Sequence, residues 1–192
     1  FISMIPLAFI NYGGIQAIQT LWAGPWMLNI SGYTPLQSAT GLFWINITML
    51  ISYFIWGYIL PKISDYGINS IKLIKLGLPI SYFSLFLIIY FGNNAGAFLF
   101  TIYIMTSIVI SLTQPAIALN FSKNLAGKSL TSFNVFLFSG TFFVQWGIGL
   151  IIDLCNNKGF DILSSYRISF SLFLFLCVLS YIFFIYLNKN EN

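Results

Sequence analysis

A chain of 192 residues that is 58% apolar, 19% aromatic and only 6% charged cannot clothe a water-facing surface, because a soluble domain carries roughly a quarter charged residues. Only a bilayer accepts so apolar an outside, which makes this a membrane protein. Histidine is absent, Cys155 and Cys177 have no carboxylate or second thiol at ligand spacing, and the eight basic residues are scattered between apolar segments. A metal or haem cofactor is therefore not expected, nucleic acid is not an expected partner, and the two cysteines read as small buried side chains.

Polar and turn-forming residues cluster at 29–35, 61–70, 92–94, 120–129 and 155–165. Six apolar segments remain, at about 2–28, 36–60, 71–91, 95–119, 130–154 and 166–187, each near or above the ~20 residues that a helix needs to cross hydrocarbon. Runs such as 108–112 and 170–175 lack the polar alternation of a membrane barrel strand. The expected fold class is thus all-α, a polytopic protein of six transmembrane helices forming one domain over 1–192. The chain opens on Phe1 inside an apolar segment, with neither a charged leader nor a cleavage site, and the expectation is that a segment precedes it.

An unpaired amide costs several kcal/mol in hydrocarbon, so membrane Asn and Gln turn toward protein or water. The first segment has Asn11, Gln16 and Gln19, with Trp22 and Trp26 at its far end; the second has Asn46, with Trp56 at its end; the fourth has Gln114; the fifth has Asn134, Gln145 and Trp146. The third and sixth have no interior amide. This division predicts that the third and sixth helices face lipid while the other four form an inner ring. At ~3.6 residues per turn, Tyr12, Gln16 and Gln19 share one stripe, Tyr103, Ser107 and Gln114 a second, and Asn134, Phe138, Thr141, Gln145 and Gly149 a third. These amides either line a cavity or join neighbouring helices, for which a polar contact in a membrane is worth ~0.6 kcal/mol. Trp26 and Trp56 read as interfacial belt residues. Gly140, Gly147 and Gly149 are expected to permit close helix approach, and Pro79 and Pro115 to bend their helices.

Lys62, Lys72, Lys75, Lys123, Lys128 and Lys189 fall on one side of the expected membrane, and only Lys158 and Arg167 on the other, near Asp153 and Asp161. The excess of basic residues predicts cytoplasmic termini. Asp153 and Arg167, at one boundary, are expected to approach each other.

The segments QTLWAGPW at 19–26 and NVFLFSGTFFVQWGIGLIID at 134–153 resemble the C-terminal half of bacterial major facilitator superfamily transporters. Gly57, Lys62 and Gly67 are similar to the superfamily's loop motif, although Pro61, Lys62 and Ser64 stand where the motif has its Asp, Arg and second Gly. The resemblance implies two inverted three-helix repeats, a location in the bacterial cytoplasmic membrane, and a second six-helix half as partner across a mid-membrane site. It implies transport of a small polar or amphipathic solute by alternating access, without enzymatic chemistry. The candidate substrate-binding residues are Gln16, Gln19, Trp22, Asn46, Gln114, Asn134, Gln145 and Trp146. A non-transporting scaffold or receptor on the same fold is the alternative. A membrane enzyme would need converging titratable groups, which the apolar segments lack.

Overall fold

In the computed structural model, which describes residues 2–189, every regular element among the described residues is helical. α1 (Met4–Ala17) passes through a π turn (Ile18–Trp22) into α2 (Ala23–Asn29). α3 (Pro35–Ser64) and α4 (Ser70–Phe91) come next. α5 (Ala97–Ser107) passes through a 3-10 turn (Ile108–Leu112) into α6 (Thr113–Asn120), and α7 (Lys123–Asn157) and α8 (Ile162–Leu187) close the chain. Five stretches, namely α3, α4, α5 with α6, α7 and α8, are long and apolar enough to cross a membrane.

Helix starts are set by local chemistry. Thr34 accepts from the Gln37 N–H while the Gln37 side chain accepts from the Thr34 N–H, a reciprocal cap reinforced by Pro35 in the first turn. Asn69 caps α4 through the Lys72 N–H, and Asp161 caps α8 through the Ser164 N–H at 3.0 Å. The Ser164 hydroxyl and N–H together hold the Asp161 carboxyl below the usual carboxylate range. α7 is longer than its apolar segment at both ends, and α3 runs on through Pro61 to Ser64. Polar residues mark where apolar sequence stops, but a helix continues past that point where water can satisfy the side chains.

α1 lies along α7 and also packs against α8; α5 packs against α3 and α4; α4 packs against α8. The α1–α7 crossing is set by two glycines. A Cβ on Gly13 would stand 2.5 Å from the Gly140 carbonyl carbon, and a Cβ on Gly140 would overlap the Phe9 carbonyl oxygen. Gly149 admits the Trp22 indole, whereas Gly147 faces open space and does not serve helix approach.

Trp26 is not an interfacial belt residue. It is fully buried, with its ring 4.9 Å from Phe170, 5.8 Å from Tyr166 and 5.9 Å from Phe100, so that it joins α2, α5 and α8. Such a cluster outweighs the preference of one indole N–H for the interface. Trp56 is half-buried on α3. α4 is continuous through Pro79, while the 3-10 turn ends just before Pro115, which removes one ladder bond there.

Arg167 does not pair with Asp153. Its guanidinium donates to the carbonyls of Ile89 and Tyr90 at 2.9 Å each, satisfying acceptors that the end of α4 leaves open. A neighbouring lock joins the loops at the same end, where Ser31 donates to the Ala95 carbonyl and the Tyr33 hydroxyl accepts from the Ala97 N–H.

Candidate functional site

Burial is uneven among the membrane-length helices. The most apolar windows of α3 and α7 are 17% and 22% buried, against 39% and 33% for α4 and α8. The two helices with the most uncovered surface therefore belong to the expected inner ring, not to the expected lipid-facing supports. α4 exposes a single apolar stripe through Leu76, Ile80, Phe83 and Tyr90, as a helix with one lipid face does.

Between α3 and α7, the π turn governs which residues of the first helical run face outward. A π turn carries an extra residue relative to the α-helical repeat and so rotates the residues beyond it. The stripe of Tyr12, Gln16 and Gln19 is broken there. Gln19 turns inward, 9% exposed, and its Nε2 donates to Asn46 Oδ1 on α3 at 2.5 Å, while Thr20 takes the open position. Asn46 is anchored in turn, its Nδ2 donating to the Leu42 carbonyl at 2.7 Å.

A line of polar contacts crosses this open side. The Tyr53 hydroxyl of α3 meets the Tyr12 hydroxyl, and Gln16 Nε2 donates to Tyr12 at 3.3 Å. Thr20 Oγ1 donates to the Gln16 carbonyl at 2.6 Å and accepts from Gln145 Nε2 of α7 at 2.8 Å. The Trp22 indole N–H donates to the Gln145 carbonyl at 3.2 Å. Three helices are thereby tied together through neutral amides and hydroxyls on half-buried or exposed side chains, whereas Gln19 turns its Oε1 inward, where it is buried without a partner.

Beyond Gln145 the line opens into a cleft of about 350 Å³ between the π turn and α7, walled by Trp22, Phe142, Gln145, Trp146, Gly149 and Asp153 among others. Of the sequence-predicted residues, Gln16, Gln19, Trp22, Asn46, Gln145 and Trp146 come together on this side. Gln114 on α6 and Asn134 on α7 are half-buried and stand outside the line of bonds. Asn11 is buried and donates to the Leu7 carbonyl and to Ser180 on α8, so it joins helices within the bundle. Tyr103 and Ser107 lie with Asn11 and Tyr82 in the interior and do not share a face with Gln114, because the 3-10 turn separates them. Gly57 is exposed, Gly67 takes φ +77° in the turn after α3, and Lys62 donates to the Tyr58 hydroxyl of its own helix from above the ring.

Sequence reasoning missed Thr20, Tyr53, Phe142 and Asp153. Phe142 and Asp153 were within reach, since 142, 146, 149 and 153 recur at three- and four-residue spacing on one face of α7. Thr20 was not, because its position depends on the π turn. No family model, curated protein or solved structure matches the chain.

Proposed function

We propose that the chain is one six-span wall of a secondary transporter that moves a small polar or amphipathic solute by alternating access. The observation that carries this reading is the line of half-open amides and hydroxyls across α3, the π turn and α7, on the helices with the most uncovered surface. Amides and hydroxyls on a permanently lipid-exposed face are unfavourable, and a water-filled cavity against a second half accommodates them.

The run 4–29 counts as the sixth span. It is helical throughout, and at ~1.5 Å per residue it exceeds a ~30 Å hydrocarbon core. The packing supports two repeats, with α1 and α2 matching α5 and α6, α3 matching α7, and α4 matching α8. Each repeat opens on a helix interrupted by a turn, its second helix packs against the opening helix of the other repeat, and the two third helices pack together. Inverted repeats of this kind form one side of a mid-membrane site.

With the termini cytoplasmic, a membrane-impermeant thiol reagent added to intact cells is expected to label Cys at Ser31 or Asn157 and to spare Cys at Asn69. Labelling at Asn69 would reverse the orientation. For function, proteoliposomes containing this chain with a companion six-helix half are expected to accumulate labelled organic solutes, and those with the chain alone are not. Accumulation by the monomeric chain would refute the two-wall arrangement; none with both halves present would favour a scaffold or receptor.

A further inference from the structure

The cleft between the π turn and α7 has a composition more specific than a polar lining. Trp22 is fixed edge-on against Tyr166 at 6.1 Å, bonded to the Gln145 carbonyl and seated on Gly149, so one indole wall is held in place. Trp146 and Phe142, 58% and 63% exposed, stand on the same cleft from α7. The carboxylate of Asp153 lies two turns along that face at the end of the cleft, and Arg167, which the sequence reading brings toward it, is engaged by the carbonyls of α4. Exposed aromatic faces with a carboxylate and no competing guanidinium attract a cation through the ring quadrupoles and through charge. Lys158, the nearest lysine in sequence, caps the C-terminal end of α7 and is not among the residues that line the cleft.

We propose that this cleft binds an organic ammonium cation, with Trp22, Phe142 and Trp146 enclosing the charged head and Asp153 neutralising it. Gln145, at the inner end, offers its free amide oxygen to a hydroxyl or N–H on the same ligand. The volume of about 350 Å³ accepts a small alkylammonium compound. Binding itself does not depend on the transporter reading; that the bound cation is also the carried solute does.

Choline and its neutral isostere 3,3-dimethylbutan-1-ol have nearly the same shape and differ in charge, so they isolate the cation term. Calorimetric titration of the full chain in lipid nanodiscs is expected to show choline binding at least tenfold tighter than the isostere. Trp146→Leu is expected to weaken choline about tenfold, Trp146→Phe less, and Asp153→Asn several-fold with the salt dependence reduced. Equal affinity for choline and the isostere, or no choline binding, would overturn the proposal, and titration of the unsubstituted chain alone decides between these outcomes should a variant fail to fold. Charge-selective binding without choline uptake by the two-half assembly would uphold the cleft and count against its ligand being the carried solute.

Discussion

Gly140→Ala is expected to unfold or loosen the bundle, costing about 3 kcal/mol or more and lowering the thermal transition in detergent by many degrees. The added methyl group would overlap the Phe9 carbonyl oxygen, and a backbone atom cannot move aside as a flexible side chain can. Relief requires α1 and α7 to part along their contact, which would also move Gly13 from the Gly140 backbone and Thr20 from Gln145. Without a hydrophobic drive between helices in lipid, association depends on this close packing. Gly147→Ala supplies the control, since its Cβ meets nothing within 4 Å and the transition should not change. Equal melting of Gly140→Ala and the unsubstituted chain would show that the helices do not cross at these glycines.

Gln145→Leu, in the proposed two-half assembly, is expected to raise the solute KM about tenfold, the equivalent of ~1.4 kcal/mol for one lost hydrogen bond, with folding little affected. Leucine is acceptable to a half-open membrane face, and the bond lost to Thr20 at 2.8 Å is an interhelical contact of modest worth. Thr20→Ala deletes the same contact but keeps the amide, so it separates the two roles. If Gln145 serves the solute, Thr20→Ala leaves KM near normal while Gln145→Leu does not. A normal KM in a less stable Gln145→Leu protein would remove this residue from the site.

The sequence is most informative where one physical quantity dominates. Hydropathy located the helices α3, α4, α5 with α6, α7 and α8 because lipid exposure leaves no other choice over ~20 residues. The gathering of Trp22, Gln145 and Trp146 was likewise accessible, since regular helical spacing places the latter two on α7 with an open side. Where two effects compete, sequence alone gave the wrong answer. The fate of Trp26 turned on three aromatic partners from distant segments, and that of Arg167 on carbonyls that a neighbouring helix end leaves unpaired. Neither partner set has a local signature. The inward turn of Gln19 arises from an irregularity in the hydrogen-bond ladder that no period of 3.6 anticipates.

The two interruptions also divide the helices in which they fall. α2 is stapled by Trp26 to α5 and α8, whereas α1 is pinned to α7 at the glycine crossing, and between them lies a turn whose ladder is already off the α-helical register. A 3-10 turn likewise separates α5 from α6. A bend at either interruption would leave the α-helical ladders on both sides of it intact. The glycine crossing and the aromatic cluster stand on opposite sides of the π turn, with the polar line of Gln16, Thr20 and Gln145 beside it.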